Sequence, residues 1–171
     1  MIAVERVLTI PAPAADVWAV LAAFDDLAAW ASNADHTCWL DEERSDGEMI
    51  GRARRVQAGR MVLVERITVW QPPARLAYEL HGLPPVVKSA VNEWRLHPEP
   101  STGHTTVTLT SHVDCGPRPP QQLVARIVGR RLAGASDTML AGLAARLADP
   151  PSVTFDPARC DSSNESKETT S

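Results

Sequence analysis

The fold is decided by residues 120–148, which read PQQLVARIVGRRLAGASDTMLAGLAARLA. Apolar residues recur there every three or four positions, the spacing that places side chains along one face of an α-helix. This stripe comprises Val124, Val128, Leu132, Ala135, Met139, Leu143 and Leu147, whereas Arg126, Arg130 and Asp137 fall on the other side. We therefore predict one helix from Pro120 to Ala148, about 40 Å long at about 1.5 Å per residue, enough to cross an entire sheet.

Three glycines, Gly129, Gly134 and Gly142, interrupt this predicted helix. Each costs about 1 kcal/mol relative to alanine in a helix interior. We therefore expect a bend, or the close approach of neighbouring backbone, at these positions.

The composition is that of one globular domain: 171 residues, of which 44% are hydrophobic and 22% are charged. The formal net charge of -4 argues against a nucleic acid partner, because phosphate contacts require a basic surface. No apolar run reaches the length of a membrane span, and Glu5 and Arg6 stand where a signal peptide would have its apolar core. We therefore predict a cytoplasmic protein without stable membrane insertion. Cys38, Cys115 and Cys160 are odd in number and widely spaced, which favours plain thiols over disulfides or a zinc site.

The character of the chain changes after residue 149. Ser162–Ser171 contains only serine, threonine, asparagine and charged residues, so it has no apolar surface to bury. We predict a domain over residues 1–149 and a disordered polar tail over residues 150–171, in which Val153 and Phe155 make at most brief contacts with the domain.

Ahead of the long helix, the sequence is dominated by strand patterns. Val4–Ile10 alternates as a first strand, and two short helical patterns follow, one from Asp16 to Phe24 and one from Asp25 to Trp30. From Thr37 to Asp114 the period is two, and turn residues divide this region into six further strands joined by hairpins. The turns are expected at Ser45-Asp46-Gly47, Ala58-Gly59, Gln71-Pro72-Pro73, Gly82-Leu83-Pro84-Pro85 and Pro98–Gly103.

Each tight turn determines which residues of two strands face each other. We predict the following pairs: Val56 with Met61, Arg54 with Leu63, Arg52 with Glu65, Leu80 with Glu65, Ile67 with Tyr78, Val69 with Leu76, Trp94 with Val107, Asn92 with Leu109 and Ala90 with Ser111. The inward face of the sheet is then mostly apolar but carries six polar side chains: Arg52, Arg54, Glu65, Tyr78, Asn92 and Ser111. Because a buried polar group needs a partner or a function, these six are the informative residues.

The order of these elements resembles the START-like (SRPBCC) superfamily with its helix-grip fold, an α+β fold. The opening resembles that superfamily in Ile10-Pro11-Ala12-Pro13, Val17-Trp18, Leu21, Phe24, Leu27 and Trp30. A central hairpin resembles it in Glu65-Arg66-Ile67, Pro72-Pro73 and Leu76-Ala77-Tyr78, and the last hairpin in Glu93-Trp94-Arg95-Leu96 and Thr106-Val107-Thr108-Leu109. The similarity is greatest to the polyketide cyclase/dehydrase branch, from about Ile2 to Asp149.

The resemblance implies a curved seven-stranded antiparallel sheet around the final helix, with an elongated apolar cavity between them. It implies less about chemistry, because the superfamily includes lipid carriers, plant allergen-like binders, aromatase/cyclases and oxygenase domains. An oxygenase-type iron site needs two histidines and a carboxylate that converge, and the five histidines do not show such spacing. No strand-turn-helix presents a serine or cysteine beside a histidine either. We predict no metal and no cofactor.

The sharpest candidates for chemistry are Arg52 and Glu65, because a charge pair facing an apolar cavity has a desolvation cost that an apolar pair avoids. Such a pair can anchor a polar head group. In a cyclase, Glu65 can move protons on a bound polyketone while Arg52 holds the developing enolate. The alternative is a hydrated, merely structural pair at the cavity mouth. The predicted ligand-binding set is Arg52, Arg54, Leu63, Glu65, Ile67, Tyr78, Leu80, Asn92, Trp94, Leu109, Ser111, Leu132, Met139 and Leu143.

Three functions follow from this interpretation. The first is binding of an apolar or amphipathic small molecule, such as a lipid, isoprenoid or polyketide. The second is a polyketide cyclase/dehydrase-type enzyme that uses acid-base groups in the same cavity. The third is a module that interacts with proteins or ribosomes. We expect the stiff loop Gly82-Leu83-Pro84-Pro85 to control entry to the cavity.

Overall fold

A computed structural model describes residues 1–40, 47–117 and 119–149. The predicted tail, residues 150–171, and the Ser45-Asp46 part of one predicted turn lie outside this description. Ten elements follow one another: β1 (Ile2–Ile10), α1 (Ala14–Ala22), a 3-10 helix (Phe24–Ala29), β2 (His36–Trp39), β3 (Ala53–Ala58), β4 (Met61–Gln71), β5 (Arg75–His81), β6 (Ser89–Glu99), β7 (His104–Asp114) and α2 (Pro119–Ala148).

The seven strands form one antiparallel sheet in the order β1-β7-β6-β5-β4-β3-β2. α2 packs across its inner face, mainly against β1 and β7. The predicted helix-grip architecture is therefore confirmed. Its two short helices close one end of the sheet, where Val17, Leu21, Phe24 and Leu27 are buried.

Two ends of the molecule are useful landmarks. We call the front end the one that carries the start of β1, the β3–β4 turn, the β5–β6 loop and the start of α2. The back end carries α1, the 3-10 helix and the last turns of α2, where Arg146 lies 3.8 Å from Asp26. A Cβ atom added to Gly129 would lie 3.4 Å from Val4 Cγ2, and one added to Gly142 would lie 2.0 Å from the Trp30 carbonyl oxygen. The expected close approach of neighbouring backbone is thus found at Gly142, whereas Gly129 meets only side-chain methyl groups and Gly134 has open space beside it.

The register of the β3–β4 hairpin differs by two residues from the predicted one. Ala58 pairs with Met61, so the turn consists of Gly59 and Arg60, and Gly59 adopts a φ of 58°. Consequently Val56 faces Leu63 and Arg54 faces Glu65. The prediction that Arg52 faces Glu65 is wrong, because a left-handed Gly59 fits the first position of the turn rather than the second.

The β6–β7 hairpin shows the same displacement, because both strands extend to Glu99 and His104 before the chain turns. Trp94 therefore pairs with Leu109 rather than Val107, Asn92 with Ser111 rather than Leu109, and Ala90 with Val113 rather than Ser111. In β4–β5 the pairs Ile67–Tyr78 and Glu65–Leu80 are confirmed, but an irregularity between Ile67 and Val69 places Val69 opposite Ala77 instead of Leu76. A two-residue shift keeps each side chain on its face, so the inward set survives while its partners change.

Candidate functional site

The most unusual feature of the inner face is a buried ion pair between Arg54 of β3 and Glu65 of β4. Arg54 Nε donates to Glu65 Oε2 at 2.6 Å, and a second guanidinium nitrogen lies 2.5 Å from the same oxygen. The two residues are only 3% and 4% exposed. Arg54 also donates to the Phe24 carbonyl, and its guanidinium carbon lies 3.7 Å from the centre of the Phe24 ring. The extra contacts compensate part of the desolvation cost of the two charges.

A second polar group surrounds the hydroxyl of Tyr78 on β5. Asn92 Nδ2 and Trp94 Nε1 each lie 3.4 Å from Tyr78 Oη, and both act as donors. Ser111 Oγ donates to Asn92 Oδ1 at 2.7 Å and lies 3.4 Å from the hydroxyl oxygen of Ser136 on α2. We call Tyr78, Asn92, Ser111 and Ser136 the polar cluster. This cluster connects the inner face of the sheet to α2.

Tyr78 is held in its neutral form by this environment. Burial, followed by the negative charge of Glu65, raises the pKa of the phenol to about 12, although the Arg54 charge and the two donated hydrogen bonds oppose the shift. At neutral pH the hydroxyl is therefore a hydrogen-bond donor and not a phenolate. In the described part of the chain, Tyr78 Oη is the acceptor in both of its hydrogen bonds, so the hydroxyl proton is available to a further acceptor.

Arg52 lies apart from this ion pair. Its guanidinium carbon is 3.9 Å from the centre of the Trp39 ring, and its Nη1 donates to the sulfur of Met49 at 3.7 Å. The side chain is half-buried, and its Nε atom is buried without a hydrogen-bond partner. Arg54, and not Arg52, is thus the arginine that pairs with Glu65, while Arg52 Nε has no hydrogen-bond partner among the described residues.

The apolar residues between the sheet and α2, some of them from the predicted set, differ in how completely they are buried. In the middle of the sheet and under the second half of α2 the packing is tight, with Ile67, Trp94, Leu109, Met139 and Leu143 all buried; Leu80, near the front, is buried as well. Toward the front, the side chains that pack against the core are only partly buried: Leu63, Leu83, Val87, Val124, Val128 and Leu132. On α2 itself, Met139 and Leu143 are therefore buried, whereas Val124, Val128 and Leu132 are only partly so.

At least four cavities are lined by described residues. One of about 570 Å³ lies at the front end, where Met61 and Arg60 of the β3–β4 turn meet Gly82, Leu83, Pro84 and Pro85 of the β5–β6 loop. Another of about 450 Å³ lies at the back end between α1 and the last turns of α2. None of these four includes a residue of the predicted ligand-binding set. The loop expected to control entry does line the front cavity.

Sequence patterns missed several contributors to the site. Ser136 interrupts the apolar part of α2, and a polar residue between Leu132 and Met139 is a signal that could have identified it. The contact with the Phe24 carbonyl depends on how the 3-10 helix packs on the sheet, and the stacking of Trp39 on Arg52 depends on how β2 pairs with β3. No local sequence pattern predicts either arrangement.

Within residues 1–40, 47–117 and 119–149, no group of histidine, cysteine, aspartate and glutamate side chains is arranged to hold a metal ion. No helix in the same ranges is long and apolar enough to cross a membrane.

Comparison with solved structures gives the same fold. A protein from Thermobifida fusca, solved by NMR, is 25% identical, with a TM-score of 0.67 over 85% of this chain and 93% of that one. The Zhui aromatase/cyclase from Streptomyces sp. R1128 is 23% identical, with a TM-score of 0.64 over 87% of this chain and 96% of that one. A START superfamily protein from Mycobacterium smegmatis is 14% identical, with a TM-score of 0.65 over 85% and 98% of the two chains.

The sequence itself matches one family model. No curated protein matches the chain. The model of the family described as polyketide cyclase / dehydrase and lipid transport matches residues 1–148, which is nearly the whole of the described domain. The chain therefore belongs to the polyketide cyclase/dehydrase and lipid transport family.

Proposed function

We propose that the protein binds an apolar or amphipathic small molecule, such as a lipid, isoprenoid or polyketide, between the front half of α2 and the sheet. The observation that supports this proposal is the difference in burial between aliphatic side chains in the two halves of α2. Leu143 is 0% exposed in the back half, whereas Val124, Val128 and Leu132 in the front half are only partly buried. Partly buried aliphatic side chains that line a groove supply the contact surface that an apolar ligand needs.

The polar cluster and the Arg54–Glu65 pair define the inner end of this proposed site. The ion pair and the polar cluster lie on the same inner face as Leu63. Leu80 faces Glu65, and Tyr78 follows on the same side of β5. A ligand with its apolar part under the front half of α2 would direct a polar group toward these side chains. Buried hydrogen-bonding groups of this kind determine orientation and specificity in ligand sites. The proposal therefore favours an amphipathic ligand over a pure hydrocarbon.

The binding proposal is tested with an environment-sensitive fluorescent fatty acid and the variants Val128→Phe and Ala141→Phe. Val128 is partly buried in the front half of α2, whereas Ala141 is exposed on the same helix. We expect Val128→Phe to weaken probe binding about tenfold or more with little change in Tm, because it fills space that the probe would occupy. Ala141→Phe is the matched control and should bind as the wild type does. Failure of the wild type to bind any apolar probe, or unfolding of Val128→Phe, would show that the front region is a packed core.

A second candidate function is catalysis of the cyclase or dehydrase kind, and the proton of Tyr78 favours it. A neutral phenol with an available proton can donate to a ketone oxygen, and the Glu65 carboxylate can take a proton from the carbon between two ketones. The C–H bond breaks, the proton moves to Glu65 and the electron pair becomes an enolate whose oxygen is held by Tyr78 or Arg54. These are the groups that an aldol-type ring closure requires.

This step can be measured without knowing the natural substrate. Exchange of the central protons of an aliphatic 1,3-diketone with D2O, followed by NMR, reports proton abstraction directly. We expect the wild type to accelerate exchange over buffer, Glu65→Gln to abolish the acceleration, and Tyr78→Phe to reduce it. If the wild type binds the fatty acid probe but leaves exchange at the buffer rate, the protein is a carrier and the catalytic candidate fails.

A further inference from the structure

The front end carries a group of exposed aliphatic side chains. Met61 and Val62 begin β4, Val86 lies in the β5–β6 loop and Ile127 lies in the first half of α2; they are 45%, 40%, 38% and 51% exposed. Leu83, Pro84 and Pro85 line the cavity between Met61 and the loop. Single exposed aliphatic residues are ordinary on protein surfaces, but several at the same end of a molecule are a feature of interaction sites.

The same end is basic, in a chain whose formal net charge is -4. Between Asp114 and Asp137 the chain has four arginines and no acidic residue. Arg126, Arg130 and Arg131 of this stretch are exposed, as is Arg60 in the β3–β4 turn. None of these four forms an ion pair within the described ranges. Their positive charge is therefore free to act on a partner.

Acidic residues lie at this end as well. Asp114 lies 3.3 Å from the N-terminal amino group and accepts a hydrogen bond from the Gly116 amide. The Asp35 carboxylate accepts a hydrogen bond from the Gly59 amide in the β3–β4 turn. The N-terminal amino group thus balances the charge of Asp114, and Asp35 offsets only one of the four arginine charges.

Helix geometry places part of the charge beside the apolar group. Gly129 faces β1, because a Cβ atom there would meet Val4 and Ile2. At about 100° per residue, Ile127 and Arg131 lie on the opposite side of α2, one turn apart, and so face away from β1. An apolar and a basic side chain therefore project together from the helix on its open side.

We propose that the front end docks transiently on an anionic lipid bilayer, with Met61, Val62, Val86 and Ile127 entering the interface and the arginines contacting lipid head groups. Aliphatic residues beside basic ones are the composition of peripheral membrane-binding surfaces. An acidic protein partner fits less well, since protein interfaces combine arginine with tryptophan and tyrosine anchors, and the exposed hydrophobic group here contains neither aromatic residue. The inference extends the proposed function and rests on it in one respect, because docking at this end would present the proposed entrance to the bilayer that supplies or receives the ligand.

The proposal is tested by sedimentation of the full chain with ligand-free vesicles, made either of phosphatidylcholine alone or of phosphatidylcholine mixed with phosphatidylglycerol. We expect binding to the anionic vesicles, little binding to the zwitterionic ones, and release as salt is added. Arg131→Gln should weaken binding about fivefold, since one arginine near an anionic surface contributes about 1 kcal/mol. Ile127→Ser and Val86→Ser should each weaken it severalfold.

Matched controls carry the same chemical changes elsewhere. Arg55 is exposed on β3 and Val7 is 56% exposed on β1, both away from the front end, so Arg55→Gln and Val7→Ser should bind vesicles as the wild type does. Equal binding to both kinds of vesicle, no binding to either, or equal losses in the control and front-end variants would each overturn the proposal. Val128→Phe separates it from ligand binding, because this variant should lose the fatty acid probe and still sediment with anionic vesicles.

Discussion

Arg54 and Glu65 form an ion pair across the β3–β4 hairpin with an Nε to Oε2 distance of 2.6 Å, and neither residue is more than 4% exposed. The guanidinium is also stacked on Phe24 and hydrogen-bonded to its carbonyl. The pair thus connects the sheet to the 3-10 helix. A buried pair in this position is compatible with the observed register of the hairpin and places two charges on an otherwise largely apolar inner face.

Arg54→Met should lower the free energy of unfolding by about 3–5 kcal/mol, because it leaves the Glu65 carboxylate buried without its partner. Arg54→Met combined with Glu65→Leu should recover most of that loss, since two apolar side chains need no compensating charge. Urea unfolding followed by tryptophan fluorescence measures both values. Arg52→Met is the control and should cost less, because Arg52 is half-buried and stacks only on Trp39. Equal losses at Arg52 and Arg54 would support the register predicted from the sequence instead.

Tyr78 is the single tyrosine of the chain, so the phenolate absorbance at 295 nm reports this one residue. Its pKa is raised from 10.0 to about 12 in the folded protein, which means that the neutral form stabilises the fold. This contribution is complete below pH 10 and is lost between pH 10 and about 12, in total about 3 kcal/mol at about 1.4 kcal/mol per pKa unit. We expect the absorbance of the folded protein to titrate near 12, or with alkaline unfolding if that comes first, and the absorbance in urea to titrate near 10. A midpoint near 10 in the folded protein, without unfolding, would contradict the burial of the hydroxyl.

The sequence predicts the fold well because its signals are periodic and local. The stripe from Val124 to Leu147 requires a helix, and the alternation of Leu63, Glu65 and Ile67 determines which face of β4 is turned inward. The registers of the hairpins are less predictable. Moving a turn by one residue along the chain changes the cross-strand partner of every residue by two positions, but it leaves each side chain on the same face of the sheet. This is why Glu65 is correctly placed inside and yet assigned to the wrong arginine. Contacts such as Ser111 with Ser136 need the three-dimensional approach of β7 and α2, which no pattern within either element contains.

Gly134 and Gly142 lie on the same helix and provide a matched pair of substitutions. Nothing approaches within 4 Å of a Cβ atom added to Gly134, so Gly134→Ala should raise the free energy of unfolding by up to about 1 kcal/mol through helix propensity alone. A Cβ atom on Gly142 would lie 2.0 Å from the Trp30 carbonyl oxygen, so Gly142→Ala should be destabilising even though the same propensity is gained. Thermal and urea unfolding of the two variants give the comparison. Equal stabilisation by both would mean that the 3-10 helix does not approach α2 as closely as Gly142 indicates.

The β5–β6 loop is the remaining element whose role can be tested directly. Gly82 has a φ of 89°, and the Val87 amide donates to the Pro84 carbonyl, so the loop has a defined turn between two fixed strands. Leu83 is partly buried beside the front cavity, while Pro84, Pro85 and Val86 are exposed. If this loop closes over a bound ligand, hydrogen exchange at the Leu83 and Val86 amides should slow when the fatty acid probe is bound. The Lys88 amide, which donates to the Asp114 carbonyl, is the internal reference and should exchange equally slowly in both states. Slowed exchange beside Trp30, with the loop unchanged, would instead place the entrance at the back end, where α1 and α2 enclose the second cavity.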